Sequence, residues 1–270
     1  MNTTPITTTT LDIRRTSRHV AEVWLNRPEV RNAFNDEVIN ELTQAFTLLG
    51  QDSELRVIVL GGHGKAFCAG ADLNWMRTMA GYSWADNHAD ASRLAQMLWT
   101  LYSCPVPIVG RMHGDCYAGG VGLAAVCDVL VAADTMQFCL SEARLGLLPA
   151  TIGPYVVRAM GEQAARRYFI TAERFDAATA QAMGLVHEVV SSMQLDAKIA
   201  DIVGALVANG PAAVRACKQL VKDVSARPID AALREHTASR IADIRASAEG
   251  REGVAAFLGK RSASWRPHES

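Results

Sequence analysis

The sequence predicts an α/β protein with a helical C-terminal part. Over the first half of the chain, short apolar runs that end in glycine alternate with amphipathic segments, and helical periods fill the second half. Strands that alternate with helices form mainly parallel sheets with helices packed on them. The 270 residues suit one large domain or two small ones, and we divide them into residues 1–195 and 196–270.

The first predicted elements are a strand pair, a helix and a buried strand. Residues 11–25 alternate loosely between apolar and polar side chains and break near Ser17. Asn35 can cap a helix with apolar residues on one face, and Gly50 is expected to end that helix. Residues 57–60 form an uninterrupted apolar run that is followed by two glycines, a pattern typical of a buried parallel strand.

The middle of the chain is less regular, and residues 74–90 show no clean period, so a loop or short helices are expected there. The rest of the first half is predicted to contain a helix over residues 90–102, a strand over 105–109, a helix in the stretch 114–127 and a strand over 128–133. The second half is predicted to contain seven helices, over residues 153–160, 162–170, 176–183, 195–208, 212–224, 229–246 and 252–258. Glycine and proline between these segments mark the helix ends.

Composition and charge exclude several classes of protein. Hydrophobic residues make up 49% of the chain and charged residues 20%, as in a folded globular protein rather than a disordered one. The net charge is −1 with scattered charges, which predicts no nucleic-acid partner, and no apolar run reaches the ~20 residues of a membrane span. The six cysteines are singly spaced, so we expect reduced thiols and no disulfide or metal site. The threonine-rich start has no secretory signal, so a cytoplasmic location is expected.

Three segments carry the candidate chemistry. Residues 65–73 and 113–122 are rich in glycine and alanine, and each follows a predicted strand. At such turns a ligand can approach the backbone, and exposed N–H groups can stabilise negative charge on a carbonyl oxygen. The third segment, residues 141–149, contains Glu142. Burial among apolar residues would raise the proton affinity of this carboxylate, which suits acid–base catalysis. Either glycine segment alone is an ordinary turn, whereas the three together predict a site that activates a thioester.

These segments also resemble a known family. The sequences KAFCAGADL (65–73) and HGDCYAGG (113–120) are similar to the two signature segments of the crotonase (enoyl-CoA hydratase/isomerase) superfamily. The resemblance runs from residue 25 to residue 261. It implies a spiral of ββα units, here residues 1–195 with the thioester site, and a helical trimerisation region over 196–270. It also implies an acyl-CoA substrate, a homotrimer or hexamer, and no cofactor, because coenzyme A belongs to the substrate.

The resemblance implies a role for individual residues. The N–H groups of Ala71 and Gly119 would hold the thioester oxygen, and Glu142 would transfer protons. The substrate-binding residues would be Arg27, Val30, Ala69, Asp72, Leu73, Gly120 and Lys260. Of these, Val30, Ala69, Asp72 and Leu73 would lie against the adenosine end of coenzyme A. The phosphates would lie near Arg27 or Arg31, with Lys260 reaching in from a neighbouring subunit.

One position departs from the family pattern. Hydratases of this family usually carry a second glutamate three residues after the oxyanion glycine, and Gly122 stands there in this chain. Glu142 would then either activate water and protonate the α-carbon by itself, or act without water as in the double-bond isomerases. The expected function is an enoyl-CoA hydratase. A Δ3,Δ2-enoyl-CoA isomerase and a non-catalytic acyl-CoA-binding protein stay open as alternatives.

Two further segments, residues 139–144 and 166–175, resemble bacterial methylglutaconyl-CoA hydratases and related enzymes. That subgroup also has a small residue in place of the second glutamate. The resemblance implies a branched or carboxylated substrate such as 3-methylglutaconyl-CoA, and with it a part in leucine degradation or fatty acid metabolism. A distal carboxylate would need a cation, for which Arg77, Arg93 and Arg144 are candidates. Trp75 and its aromatic and methionine neighbours would line an acyl pocket or, equally, form a lid or core cluster.

Overall fold

A computed structural model of the chain describes residues 8–266. Residues 1–7 and 267–270 lie outside this description. The first of these ranges belongs to the stretch in which the sequence predicts no secretory signal. The described residues form nine strands: β1 (Leu11–Ser17), β2 (Val20–Leu25), β3 (Val57–Gly62), β4 (Ile108–Met112), β5 (Asp115–Tyr117), β6 (Val129–Ala133), β7 (Gln137–Cys139), β8 (Arg174–Asp176) and β9 (Glu188–Val190).

The strands form two sheets. The larger sheet has the order β1-β2-β3-β4-β6-β9, in which β1 and β2 pair antiparallel and all other neighbours pair parallel. The smaller sheet has the order β5-β7-β8, with β5 and β7 parallel and β7 and β8 antiparallel. The chain therefore passes from a strand of the larger sheet to a short strand of the smaller one and then into a helix. This repeat of ββα units confirms the predicted fold, whereas trimerisation stays a prediction.

The helices cover the sheets and fill the C-terminal part. They are α1 (Asp36–Gln51), α2 (Leu73–Met79), α3 (Trp84–Ser103), α4 (Gly119–Ala125), α5 (Gly153–Met160), α6 (Glu162–Thr171), α7 (Ala177–Ala182), α8 (Leu195–Ala208), α9 (Pro211–Val224), α10 (Ala231–Ala246) and α11 (Ala248–Leu258). Across residues 8–266, no one helix has the length and apolar character to cross a bilayer, and only α8 and α9 taken together, bent by 106°, meet those two criteria.

The central parallel strands of the larger sheet, β3, β4 and β6, are buried on both faces, as is usual for parallel strands. Ile58 and Leu60 of β3 belong to the main core, which α1 and α3 help to build. The alternate residue Val59 points the other way and packs in a second cluster with Leu195 and Ile199 of α8. The helical C-terminal region thus packs on the sheet from its first turn onward, and the division between residues 195 and 196 stays a prediction.

The short helix α2 agrees with the expectation for residues 74–90, whereas the start predicted for the next helix was wrong. Helix α3 begins at Trp84, not near residue 90, and α2 lies before it. Ser83 caps α3, since its Oγ accepts the N–H of Asp86 at 3.2 Å and the Asp86 carboxylate accepts the N–H of Ser83 at 3.1 Å. This reciprocal arrangement is a capping box, and its Ser-x-x-Asp signal is present in the sequence.

Several strand predictions also need correction. The strand expected over residues 105–109 is β4, which begins three residues later at Ile108. The short strands β5, β7, β8 and β9 were not predicted, because three residues are too few to show an alternating pattern. Helix α1 continues one residue past Gly50. The three-residue strands matter most, since two of them lead directly to the candidate site.

A buried asparagine ties the turn after β2 to the loop after β3. Asn32 is 2% exposed and has a left-handed φ of 54°, which asparagine tolerates better than most residues. Its Oδ1 accepts the backbone N–H of Arg27 at 2.8 Å. Its Nδ2 donates to the carbonyl oxygens of His63 and Ala66, both at 2.9 Å. These three bonds position the loop that continues into the first glycine segment.

We expect Asn32→Ala to lower the free energy of unfolding by about 3 kcal/mol, because one buried and two partly buried backbone groups lose their partners. Asn40→Ala, at an exposed position on α1, is the matched control and should change it by less than about 0.5 kcal/mol. Urea unfolding followed by circular dichroism measures both values. Equal midpoints for the two variants would contradict the role assigned to Asn32.

Candidate active site

The first candidate donor is the backbone N–H of Ala71. Phe34 and Ala71 form an isolated parallel bridge. In this bridge Phe34 N–H donates to Gly70 O and Asp72 N–H donates to Phe34 O, both at 2.7 Å. The bridge therefore uses the groups on either side of Ala71, whose own N–H has no acceptor within residues 8–266. It is an N–H donor available to a ligand.

The second candidate donor is the N–H of Gly119, the first residue of α4. The preceding Ala118 has φ 47° and ψ −119°, an unfavourable conformation for a residue with a side chain. Its N–H donates to Cys139 O at 2.8 Å, which fixes the turn. The Gly119 N–H, like other first-turn donors of a helix, has no acceptor in the described part of the chain. Backbone strain of this kind is found at functional sites.

The two turns that carry these donors are held side by side by backbone hydrogen bonds. Cys68 N–H donates to Asp115 O at 3.2 Å, and Tyr117 N–H donates to Cys68 O at 2.9 Å. A Cβ built on Gly70 would lie 3.2 Å from the Cβ of Ala118, so the turns touch. The free N–H groups of Ala71 and Gly119 thus follow two paired segments. Such a pair of preorganised donors is suited to hold an oxyanion.

The two glycines at the start of α4 allow this close packing. A Cβ on Gly119 would lie 2.8 Å from the ring of Phe34, and one on Gly120 would lie 2.7 Å from the carbonyl oxygen of Cys68. Either contact is shorter than real side chains show, so a larger residue would push α4 away from the Ala71 turn. Gly120 therefore has a packing role here, and its contact with substrate stays a prediction.

Glu142 emerges from the same edge of the small sheet. Strands β5 and β7 are parallel with Tyr117 opposite Cys139, so the residues that follow each strand leave at the same end. Glu142 begins a short 3-10 turn, Glu142–Leu145, three residues after β7. Its Oε2 is buried and has no hydrogen-bond partner in the region described. Burial raises the pKa of this carboxyl above its ordinary value, as acid–base catalysis near neutral pH requires.

Comparison with known proteins identifies the family. The family model described as enoyl-CoA hydratase/isomerase matches residues 15–268. The chain belongs to this family. The predicted membership of the crotonase superfamily is thereby confirmed, and the protein is an enzyme of the enoyl-CoA hydratase/isomerase type.

Individual relatives align with this chain over most of their length. An enoyl-CoA hydratase of Alternaria alternata is 33% identical over 255 residues, which cover 92% of this chain and 81% of that protein. The 2,3-dehydroadipyl-CoA hydratase of Escherichia coli is 29% identical over 252 residues, covering 92% of this chain and 96% of that protein. The crystal structure of an enoyl-CoA hydratase from Shewanella pealeana superposes with a TM-score of 0.92 at 39% identity, covering 95% of this chain and 96% of that one.

The position of the family's second glutamate is closed in this enzyme. A Cβ on Gly122 would lie 2.8 Å from the Cβ of Ile152 and closer still to its γ2 methyl group. Ile152 is 2% exposed and belongs to the main core. An apolar side chain therefore fills the space next to α4 where a second carboxylate would begin. Sequence reasoning identified the glycine but could not identify the side chain packed against it.

Arg27 and Asp72, both predicted to bind coenzyme A, bind each other. The Arg27 guanidinium donates to the Asp72 carboxylate at 2.8 Å and to Ala33 O at 2.7 Å. Asp72 also caps α2 by accepting the N–H groups of Asn74 at 2.8 Å and Trp75 at 3.4 Å. Asp72, the residue after Ala71, is thus held by Arg27 on one side and by the first turn of α2 on the other. This brace positions the oxyanion turn, and coenzyme A contacts of the pair stay a prediction.

The other predicted substrate-binding residues lie near the surface. Val30 is 37% exposed and Leu73 is 69% exposed, so each offers apolar surface beside the Ala71 turn. Ala69 is partly buried. Arg31 is exposed, and Lys260 is exposed just beyond the end of α11. Adenosine and phosphate binding by these residues, with Lys260 acting from a neighbouring subunit, stays a prediction.

The arginines considered for a distal carboxylate already have partners. Arg77 donates to Asn74 Oδ1 at 2.6 Å, and Arg93 donates to the Asp90 carboxylate at 2.7 Å. Arg144 donates to Ala172 O at 2.6 Å. Asp90 is 5% exposed, so Arg93 is needed to balance a buried charge. Arg144 bonds only a neutral carbonyl oxygen and lies two residues after Glu142. It is therefore the strongest of the three candidates.

Sequence reasoning named Trp75 as a candidate for an acyl pocket but did not signal that its indole N–H is orphaned. Within residues 8–266, only three buried side-chain polar atoms lack a hydrogen-bond partner: Trp75 Nε1, Glu142 Oε2 and His236 Nε2. Buried donors without a partner are rare in folded proteins and mark places where water or a ligand binds. Trp75 follows Ala71 by four residues, and helical side chains lean toward the N-terminal turn. Its N–H is thus a further candidate donor near the site, which no sequence pattern signals.

Cys68 and Cys116 beside the donors are structural. Both are fully buried, and burial raises the pKa of Cys68 to about 12 and that of Cys116 well above its ordinary value. A thiol that stays protonated is a poor nucleophile. Glu142 is therefore a better candidate than either thiol for proton transfer at this site.

The raised pKa of Glu142 predicts a pH-dependent stability difference. The folded-state pKa lies above the ordinary 4.5, so ionising Glu142 costs more in the folded chain, and stability falls as pH rises from about 4.5 through the folded pKa. Glu142→Gln removes that cost. We expect its thermal midpoint to match wild type at pH 4 and to exceed it increasingly toward pH 7. Glu29→Gln, at an exposed position, should show no such trend, and a constant difference for Glu142→Gln would contradict the raised pKa.

Proposed function

We propose that the enzyme is an enoyl-CoA hydratase that adds water across the double bond of a 2-enoyl-CoA. The observation that supports this proposal is a buried carboxylate oxygen of Glu142 that has no partner among the described residues, on a turn that leaves the small sheet at the same end as the turns of Ala71 and Gly119. The donors can hydrogen-bond to a thioester oxygen, and the carboxylate can accept a proton and pass it on. Neither group has a structural partner that would explain its place.

The reaction requires one acid–base group and one oxyanion site. The oxygen of water attacks C3 of the enoyl group while one of its protons passes to Glu142. The electrons of the double bond move toward the carbonyl, and the thioester oxygen gains negative charge held by the N–H groups of Ala71 and Gly119. The electrons then return to C2, which takes the proton from Glu142. The product is a 3-hydroxyacyl-CoA, and the carboxylate is regenerated.

Hydration is favoured over double-bond migration by the relatives. The proteins from Alternaria alternata, Escherichia coli and Shewanella pealeana are all named as hydratases. A single glutamate is compatible with both reactions, because Glu142 can carry the same proton to C2 after water has added. We therefore place the whole proton cycle on Glu142, because the apolar Ile152 fills the space beside Gly122 where a second glutamate would begin.

Incubation with crotonyl-CoA in ¹⁸O-labelled water tests this assignment. We expect one heavy oxygen per product, and Glu142→Gln should lower kcat by about 10²–10⁴-fold with product affinity kept within a few-fold. Glu29→Gln is the matched control and should keep wild-type kcat. Migration of the double bond in a 3-enoyl-CoA without ¹⁸O uptake would indicate an isomerase, and tight binding without turnover would indicate a binding protein.

We further propose that the substrate is branched or carboxylated, as 3-methylglutaconyl-CoA is, and that the enzyme acts in leucine degradation or fatty acid metabolism. Two features support an additional acceptor on the acyl chain: the orphaned N–H of Trp75 and the position of Arg144 beside Glu142. The Escherichia coli relative is named for a 2,3-dehydroadipyl-CoA substrate. A trimer or hexamer in the cytoplasm belongs to the same proposal.

Trp75→Phe tests the acyl-chain donor, because it keeps an aromatic ring and removes the N–H. We expect kcat/KM for glutaconyl-CoA to fall by about tenfold, the effect of one lost hydrogen bond to a charged group, while crotonyl-CoA is hydrated as before. Trp84→Phe, at a position 80% exposed, is the control. An equal loss on both substrates would show that Trp75 only packs the site.

A further inference from the structure

A second cavity lies away from the thioester site. It has a volume of about 320 Å³ and is bounded by the end of α3, by α9 and by α10. Its lining includes residues 103–105 and the side chains of Arg215, Lys218, Lys222 and Arg240. Residues 103–105 precede the amino end of β4, whereas Gly119 follows its carboxyl end. The cavity and the oxyanion donors are therefore at opposite ends of the same strand.

The cavity is lined by four cations and by no carboxylate. Arg215, Lys218 and Lys222 are spaced so that they share one face of α9. Two of the four are already engaged. Arg215 donates to the carbonyl oxygens of Asp52 and Leu55, at 2.8 and 2.9 Å. Lys218 is 8% exposed and lies 2.6 Å from the Asp128 carboxylate.

The other two cations, Lys222 and Arg240, have no carboxylate within 4.0 Å in the described part of the chain. Lys222 Nζ lies 4.9 Å from the ring centre of Tyr102, its nearest favourable contact. Burial, and then the positive charge of Lys218, lower the pKa of Lys222. Asp223 accepts a hydrogen bond from Gln219 at 2.7 Å, lies 3.4 Å from His236 Nε2 and interacts with Lys222 and Arg240 only at longer range. Four cations thus face only the carboxylates of Asp128 and Asp223, so the cavity holds an excess of positive charge.

The fold itself does not require this much positive charge. The C-terminus of α3 forms part of the wall, and a helix C-terminus carries about half a negative charge, enough to attract one cation. Lys218 lies in the same wall, with Nζ 3.3 Å from the carbonyl oxygen of Val106, three residues beyond the end of α3. Holding Lys222 and Arg240 at the same place costs repulsion unless a negative ligand offsets it. Their guanidinium and ammonium groups are the usual ligands of phosphate oxygens.

We propose that this cavity binds a phosphate group, free or at the end of a larger molecule, through Lys222 and Arg240. The volume is at the low end for ligand sites and is suited to a small oxyanion rather than to coenzyme A. The site is separate from the thioester chemistry and does not depend on the proposed function. Binding raises the pKa of Lys222 and stabilises the contact of α9 and α10 with α3.

Titration calorimetry of inorganic phosphate into the full chain, at fixed ionic strength in chloride, tests the site. We expect one saturable site per chain in the wild-type protein. Lys222→Met and Arg240→Met should each weaken binding by about tenfold or more, and the double variant should show no saturable heat. Arg234→Met, an exposed position on α10 outside the cavity, is the matched control and should bind phosphate like the wild type. Hydration of crotonyl-CoA should be unchanged in all four variants.

Glycerol 3-phosphate in place of inorganic phosphate separates the two sources of the ligand. Equal or tighter binding supports a phosphate ester, and weaker binding supports the free ion. Lys222→Arg keeps the charge and should keep binding, which guards against a loss due to misfolding. The absence of saturable heat in the wild-type protein at tens of millimolar phosphate would overturn the proposal. Equal binding by the double variant would overturn it as well.

Discussion

The active site depends on backbone pairing along one short strand. On one side of β5, the segment at Cys68 exchanges hydrogen bonds with Asp115 and Tyr117, and on the other side β7 pairs with it in parallel. Three turns therefore leave this pairing at the same end. These turns carry the candidate donors of Ala71 and Gly119 and the candidate acid Glu142. Backbone hydrogen bonds are short and directional, so they hold these groups more precisely than side-chain packing alone would.

Much of this arrangement could be predicted from the sequence, because the strongest signals lie in it. The apolar run of β3, the capped helix α1 and the long helices α8 and α9 have periods that extend over many residues. The glycine segments identified the donor turns, and Glu142 stood out as an acid in an apolar stretch. The family resemblance then assigned roles that the residues by themselves left open.

The parts that the sequence did not predict are short or depend on tertiary packing. Strands β5 and β7 contain three residues each and are stabilised by their neighbours rather than by their own pattern. The Arg27–Asp72 pair joins residues 45 positions apart, and no local rule signals that the two charges are already used. The orphaned N–H of Trp75 depends on what surrounds the ring. The cavity between α3, α9 and α10 likewise brings together residues from three separate segments.

The contact between Gly122 and Ile152 has a consequence for how this lineage can change. Because the isoleucine occupies the space beside the glycine, a mutation that introduces glutamate at position 122 meets a steric block before it can contribute a second acid. A mutation that first shrinks Ile152 leaves a void in the core with no catalytic gain. Each step is unfavourable without the other, so the two positions are epistatic. Conversion between one-acid and two-acid forms of the enzyme would require paired substitutions, and that barrier can preserve the one-acid form over long evolutionary times.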